Sequence, residues 1–160
     1  MSSCKPTLNF EIRELRKSDF RNGFFETLSN LSHVGQISHN IEEATKILES
    51  IEENKFSKIY VAVDNHGQVV GSITLLVEQK FIHNAGKVGH IEDVVTRKEY
   101  NGKGIGSALV QKCIEAAKEE KCYKVILDCS LDNVAFYEKP GFRKHEVSMR
   151  YDIDQQYVRQ

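Results

Sequence analysis

The sequence contains no run of about 20 apolar residues, so no segment is suited to cross a bilayer as a helix. Its opening, Met1-Ser2-Ser3-Cys4-Lys5-Pro6, lacks the apolar stretch of a secretory signal, and a cytoplasmic location is expected. Cysteine is scarce, with only Cys4, Cys113, Cys122 and Cys129. No two of them stand at C-x-x-C spacing, so no structural zinc site is expected and the thiols should be reduced. A basic excess is also missing. Lys and Arg number 22 against 23 Asp and Glu, a net charge of −1. That balance excludes a general nucleic-acid binder but leaves room for a local cationic patch around a phosphorylated ligand. Repeats and low-complexity tracts are absent.

What remains is a chain of 160 residues, 40% of them hydrophobic, enough for one domain with its own core. Residues 1–8 are polar and expected to form a flexible N-terminus, with a single domain over 9–160. Phe10 to Leu15 alternates apolar and charged residues, the pattern of a half-buried strand. Ser18-Asp19 offers an N-cap for a helix carrying Phe20, Phe24, Phe25 and Leu28. Ser38 or Asn40 can cap a second helix with Ile41, Ala44, Ile47, Leu48 and Ile51 on one face. Lys58–Val63 and Val69–Glu78 read as strands joined by the turn Asp64-Asn65-His66-Gly67. His90–Val95 reads as another strand, unusual for its central acids. A long amphipathic helix is expected over Gly104–Glu120, then a strand over Tyr123–Cys129, a short helix over Asn133–Glu138 and a closing strand over Val147–Ile153. The order β, α, α, β, β, β, α, β, α, β predicts an α/β (α+β) fold: a mixed sheet with helices packed on both faces. The strand–helix–strand unit from His90 to Cys129 implies a parallel pair.

The segment Asn101-Gly102-Lys103-Gly104-Ile105-Gly106 lies between a strand and a helix start. Glycines let backbone N–H groups converge, and the first helical turn adds unpaired donors and the positive end of its dipole. Together these make a phosphate cradle, although a tight turn before a helix would use the same residues. A P-loop is excluded, because G-x-x-x-x-G-K-[ST] has no match. A dinucleotide fingerprint is matched at Gly102 and Gly104 but has Ser107 in its third place. Asp128 falls where a ribose-binding acid could stand, yet Thr96–Asn101 is too long for the tight turn that motif needs.

Asn101-x-x-Gly104-x-Gly106 follows the Q/R-x-x-G-x-G/A pattern of coenzyme A binding except at its first position. Asn133-Val134-Ala135-Phe136-Tyr137-Glu138-Lys139-Pro140-Gly141-Phe142 resembles N-x-x-A-x-x-F-Y-E-K-x-G-F with a shorter spacing between Asn and Phe. On these residues the chain resembles the GNAT acetyltransferase superfamily. His90-Ile91-Glu92-Asp93-Val94-Val95, Cys122 to Cys129, Phe81-Ile82-His83 and Leu31-Ser32-His33-Val34-Gly35 narrow the resemblance to the glucosamine 6-phosphate N-acetyltransferase family. It covers most of residues 8–151.

The resemblance implies the GNAT acyl-CoA N-acyltransferase fold, a mostly antiparallel sheet with one splayed parallel pair. It implies transfer of acetyl from acetyl-CoA to the 2-amino group of glucosamine 6-phosphate in a ternary complex. The product, N-acetylglucosamine 6-phosphate, lies on the route to UDP-N-acetylglucosamine. The amine must lose a proton, the developing oxyanion needs donors, and the leaving thiolate benefits from an acid. Tyr137 is the expected general acid; Glu92 and Asp128 complete the catalytic set. Acetyl-CoA is expected to meet Asp93, Val94, Val95, Asn101, Gly102, Lys103, Gly104, Ile105, Gly106, Ser107, Asn133 and Tyr137. Asn133 serves equally well as a helix N-cap. The sugar is expected to meet Leu31, His33, Val34, Glu92, Asp93 and Asp128, with its phosphate on Lys124 and Arg150.

Because Glu92 and Asp93 are adjacent on a strand, alternation would send them to opposite faces. Asp152 stands where the family places an Arg. Arg97, Lys98 and Lys103 are expected to flank the phosphate cradle. No metal is expected, since His83 and His90 have no second ligand at useful spacing. A homodimer with active sites near the interface is implied, with the final strand and Arg150 as interface elements. A protein or polyamine N-acetyltransferase and a non-catalytic acyl-CoA-binding module share the glycine loop and stand as alternatives.

Overall fold

In a computed structural model, residues 9–154 are described, and the expectation of a flexible stretch over residues 1–8 lies outside them. The chain falls into two compact units that divide between Leu127 and Asp128.

The first unit is built on five strands: β1 (Phe10–Glu14), β2 (Ser57–Asp64), β3 (Val69–Gln79), β4 (Lys87–Thr96) and β5 (Cys122–Ile126). They lie side by side in sequence order. The first three pairings are antiparallel, whereas β4 and β5 are parallel, as the crossover predicts. The β2–β3 turn is held by Asp64, whose carboxylate accepts from the N–H groups of His66 and Gln68 at 2.9 Å each.

The helices that position the site in this unit are α1 (Phe24–Leu28), α2 (Ile41–Glu53) and α3 (Ile105–Glu119). Asn40 caps α2, accepting from Glu43 N–H at 3.1 Å. The helix expected from Ser18 onward is instead a 3-10 turn over Lys17–Arg21 followed by α1. Gly23, at φ +92°, separates the two, since that backbone state ends a right-handed helix. Val61 and Val63 of β2 join Phe20, Phe24, Phe25, Ala44 and Leu48 in one core cluster. On the opposite face Ala62 pairs with Gly71 of β3. A Cβ on Gly71 would lie 2.7 Å from Ile105 Cγ2 and 3.0 Å from Leu109 Cδ1, so α3 packs directly on bare backbone there. Helices therefore cover both faces, as expected. No described helix is long and apolar enough to cross a membrane.

The second unit carries a 3-10 turn at Leu131–Asn133 and one short helix, α4 (Val134–Glu138). The closing strand expected over Val147–Ile153 is not formed; these residues are irregular and exposed. An alternating apolar pattern makes a strand only when a neighbouring edge supplies its hydrogen bonds, and none pairs with it among the described residues.

Candidate active site

Two features of β4 open the sheet. Its parallel pairing with β5 ends at His90–Ile126, although β4 runs on to Thr96. Across from β3 the register shifts: Thr74 faces Glu92 and Ser72 faces Val95, so Asp93 and Val94 bulge out of the ladder. Asp93 takes φ +51°, a left-handed state that Asp tolerates better than most residues. The bulge cancels the expected alternation. Glu92 and Asp93 are both exposed rather than sent one to each face.

Asp93 also lines a cavity of about 350 Å³ beneath α1 and α2. Leu31, His33 and Val34 line the same cavity, so four of the residues expected at the sugar meet in one place. The remainder of the wall comes largely from side chains that the sequence presents only as core, among them Phe24, Phe25, Ile47 and Leu48. Helical periodicity cannot tell a wall of a cavity from a filled core.

Following β4, the chain enters the glycine loop. Gly102 and Gly104 have φ +74° and +84°, and a Cβ on either would meet nothing within 4 Å. Their glycines therefore answer to backbone shape, and the loop surface is left clear for a ligand. Gly104 is the N-cap of α3. The first intrahelical bond runs from Ala108 N–H to the Gly104 carbonyl at 3.0 Å, leaving the N–H groups of Ile105, Gly106 and Ser107 without helical acceptors. These donors and the helix dipole suit a pyrophosphate. Lys103 stands in the loop, its Nζ 4.7 Å from the centre of the Tyr100 ring.

Arg97 departs from its expected place beside the cradle. Its Nε donates to Thr27 Oγ1 and its Nη2 to the Gly23 carbonyl, both at 3.0 Å. Lys98 N–H is fixed on Asn30 Oδ1 at 3.2 Å, and Tyr100 OH donates to Asp64 Oδ2 at 2.9 Å. The segment leading into the loop is thus fastened to α1 and to the β2–β3 turn. Burial pushes the Asp64 carboxyl up, but the Gln68 N–H, the Tyr100 hydroxyl and the His66 N–H together hold it below its ordinary value, while Tyr100 is raised by the same bond. Thr27, fully buried, was the residue to notice in the sequence: a hydroxyl among phenylalanines needs partners.

On β5, Lys124 is exposed, 5.8 Å from the centre of the Tyr123 ring, and makes no ion pair among the described residues. Among those residues no group of His, Cys, Asp and Glu could hold a metal ion.

In the second unit Tyr137 is buried, with ring contacts to Phe136 at 4.9 Å and Phe142 at 6.1 Å. Burial raises its phenol above the ordinary tyrosine range, helped by the negative charge Cys129 can carry. The phenol therefore stays protonated through neutral and mildly alkaline pH. Asn133 occupies the N-cap position of α4, and its side chain makes no capping hydrogen bond there. Asp128 accepts from Ser148 Oγ at 3.0 Å. Arg150 donates from Nε to Asp152 at 2.7 Å, so the acid at the position where an Arg was expected takes up the charge of the candidate phosphate anchor.

The acetyltransferase (GNAT) family matches residues 11–142. The glucosamine 6-phosphate N-acetyltransferase of Candida albicans is 42% identical over 146 residues, covering 88% of this chain and 93% of its own. That of Trypanosoma brucei brucei is 36% identical, covering 91% and 97%. The crystal structure of glucosamine-6-phosphate N-acetyltransferase from Arabidopsis thaliana superimposes with a TM-score of 0.87 at 37% identity, over 91% of this chain and 99% of that one.

Proposed function

The chain belongs to the acetyltransferase (GNAT) family and, within it, to the glucosamine 6-phosphate N-acetyltransferases, and from that premise we propose how its residues divide the work. It transfers acetyl from acetyl-CoA to the 2-amino group of glucosamine 6-phosphate. One observation carries the assignment of residues: β4 parts from β5 after His90 and bulges at Asp93, directly before a glycine loop that opens a helix.

Acetyl-CoA supplies the activated thioester. The N–H groups of Gly102 to Ser107 hold its pyrophosphate, with Asn101 opening the loop and Lys103 adding charge. The clear surface over Gly102 and Gly104 supports this fit. The N–H groups of Asp93 and Val94, which bulge out of the ladder, and of Val95, on the stretch of β4 that has parted from β5, bind the pantetheine arm and the developing oxyanion. Glu92, Asp93 and Asp128 hold the ammonium of the sugar, and Glu92 or Asp128 accepts its proton. Leu31, His33 and Val34 border the acceptor. Tyr137 gives its proton to the departing sulfur, a role its raised pKa supports. Asn133 contacts the coenzyme. Lys124 anchors the phosphate first, since Arg150 is committed to Asp152 until a ligand competes for it.

The protein works as a homodimer in this reading. Val147, Met149, Tyr151 and Ile153 are 83%, 88%, 91% and 93% exposed, and β5 is an edge strand. An exposed apolar row of this kind is what a second copy covers. Cys113, Cys122 and Cys129 are free thiols, which suits the reducing cytosol.

The deciding assay follows release of free thiol from acetyl-CoA with glucosamine 6-phosphate, glucosamine or a lysine peptide as acceptor. Turnover is expected with the sugar phosphate far above the other two. Equal turnover with and without the 6-phosphate would overturn the sugar-phosphate anchor.

A further inference from the structure

The cavity beneath α1 and α2 is a poor match to the body of a sugar phosphate. Its wall is almost wholly apolar, and a hydroxylated ring buried there would lose hydrogen bonds to water without replacement. Only Ser32, His33 and Asp93 bring polar side chains to it, and Asp93 is the one carboxylate. At about 350 Å³ it falls in the range of small-molecule sites, which pair an apolar wall with a few polar groups. Leu31 and Ile47 line it and are 46% and 45% exposed, so it opens to solvent between them.

Two details define the occupant. Phe20, Phe24 and Phe25 all line the cavity and form one aromatic cluster, with centroid separations of 5.4–5.8 Å. A further ring adds to such a cluster in stacked or edge-on contact. The β4 bulge then brings the exposed carboxylate of Asp93 to this apolar wall. Charge complementarity asks for a cation there, joined to an apolar aromatic body.

The geometry points to this cavity as a binding site for aryl-alkyl primary amines, with the ring among the three phenylalanines and the ammonium on Asp93. This rests on the reading of Asp93 as part of the amino-sugar site. An amine seated in the cavity takes the carboxylate that the sugar ammonium needs, so it competes with glucosamine 6-phosphate and not with acetyl-CoA. The cavity and the sugar site share Asp93 and the border residues Leu31, His33 and Val34, and the aromatic cluster belongs to the cavity alone.

The test titrates the full chain with 2-phenylethylamine, with 2-phenylethanol and with ethylamine, followed by ligand-observed NMR. The expected result is that 2-phenylethylamine binds at least tenfold more tightly than either the uncharged or the ring-free probe. Asp93→Asn lowers it to the level of 2-phenylethanol. Ile47→Trp, which fills the mouth, weakens the amine and the alcohol alike while turnover of glucosamine 6-phosphate stays within twofold. In steady-state kinetics 2-phenylethylamine raises the KM for the sugar and leaves that for acetyl-CoA unchanged. Equal binding of amine and alcohol, no effect of Asp93→Asn, or competition with acetyl-CoA overturns the inference. Absence of sugar turnover in the folded wild type overturns the reading of the site instead, and the direct titration still decides this one.

Discussion

The Arg97 guanidinium donates from Nε to the hydroxyl of Thr27 at 3.0 Å, and that hydroxyl donates in turn to the Val69 carbonyl at 2.7 Å. Thr27 belongs to α1, whose phenylalanines wall the cavity, and Arg97 leads into the glycine loop. One chain of hydrogen bonds therefore joins the cavity wall, the sheet and the entrance to the glycine loop. Replacing Arg97 by Ala leaves the Gly23 carbonyl and the Thr27 hydroxyl short of a partner. We expect a loss of about 1.5–3 kcal/mol in stability, the usual value for bonds to a charged group. The KM for acetyl-CoA should rise several-fold, and Arg97→Lys should recover only part of either, because lysine lacks the fork that meets two acceptors. Urea denaturation and initial-rate kinetics on both variants check this; an unchanged KM would confine Arg97 to stability.

Why this fastening escaped the sequence is a matter of distance. The acceptor carbonyl of Gly23 is 74 residues from Arg97, and nothing local to Arg97 distinguishes a buried clamp from a phosphate-binding cation. The Glu92–Asp93 pair shows the same limit in another form. Period-2 alternation holds only while the ladder is regular, and the bulge that breaks it is set by the register of β3 against β4. By contrast, the glycine loop, the Asn40 cap and the stripe of α3 were legible because each depends on residues within a few positions of one another. Tyr137 and Asn133 enter the proposed site through the resemblance, which residue chemistry alone would not have supplied.

Gly71 is required by close approach rather than by its backbone angles. Gly71→Ala would drive a methyl to within 2.7 Å of Ile105 Cγ2, and Ile105 is the first residue of α3. The helix must shift or the core must strain, at about 1–3 kcal/mol for an overpacked site. Because the same turn of α3 carries the donors proposed for the pyrophosphate, the variant should also bind acetyl-CoA more weakly. Calorimetric titration with coenzyme A checks the second effect independently of the first.

Tyr137→Phe should lower kcat by roughly 100-fold or more, the lower end of what a positioned acid contributes, with a much smaller change in KM for acetyl-CoA. Burial raises the Tyr137 phenol first and the Cys129 charge adds to it, so the alkaline limb of kcat should lie above the ordinary tyrosine value of about 10. Cys129→Ser removes the second contribution and should move that limb downward. A limb that does not move in Cys129→Ser, or that persists unchanged in Tyr137→Phe, would assign the acid to another group.

Alkaline pH should destabilise the fold through Cys113. Burial pushes this thiol up to about 12 in the folded protein, against about 8.5 in an unfolded chain. Between those values the native state keeps a proton that the unfolded state has shed. The contribution to stability is complete below the unfolded value and is lost as pH rises through the folded one. Tyr60, raised by burial to about 12, acts in the same direction from a higher starting point. Urea midpoints measured from about pH 8 to about pH 11 should fall steadily, and Cys113→Ala should flatten the first part of the fall.

The row Val147, Met149, Tyr151 and Ile153 has the period of a strand but no ladder to join within the described chain. Four alternating apolar side chains, all more than 80% exposed, are costly to leave in water. A second copy removes that cost if its sheet edge pairs with this segment, and β5 is short enough to leave room for one more strand. Met149→Asp would place a charge in the middle of the buried row, where an unpaired carboxylate costs several kcal/mol. Sedimentation should then show a dimer for the wild type and a monomer for the variant, with the core of the first unit still folded by circular dichroism. Arg150 lies within the same segment, so the monomer should also bind glucosamine 6-phosphate more weakly if the dimer completes the phosphate anchor. A monomeric wild type with full turnover would place the acceptor site within a single chain and leave Lys124 to hold the phosphate alone.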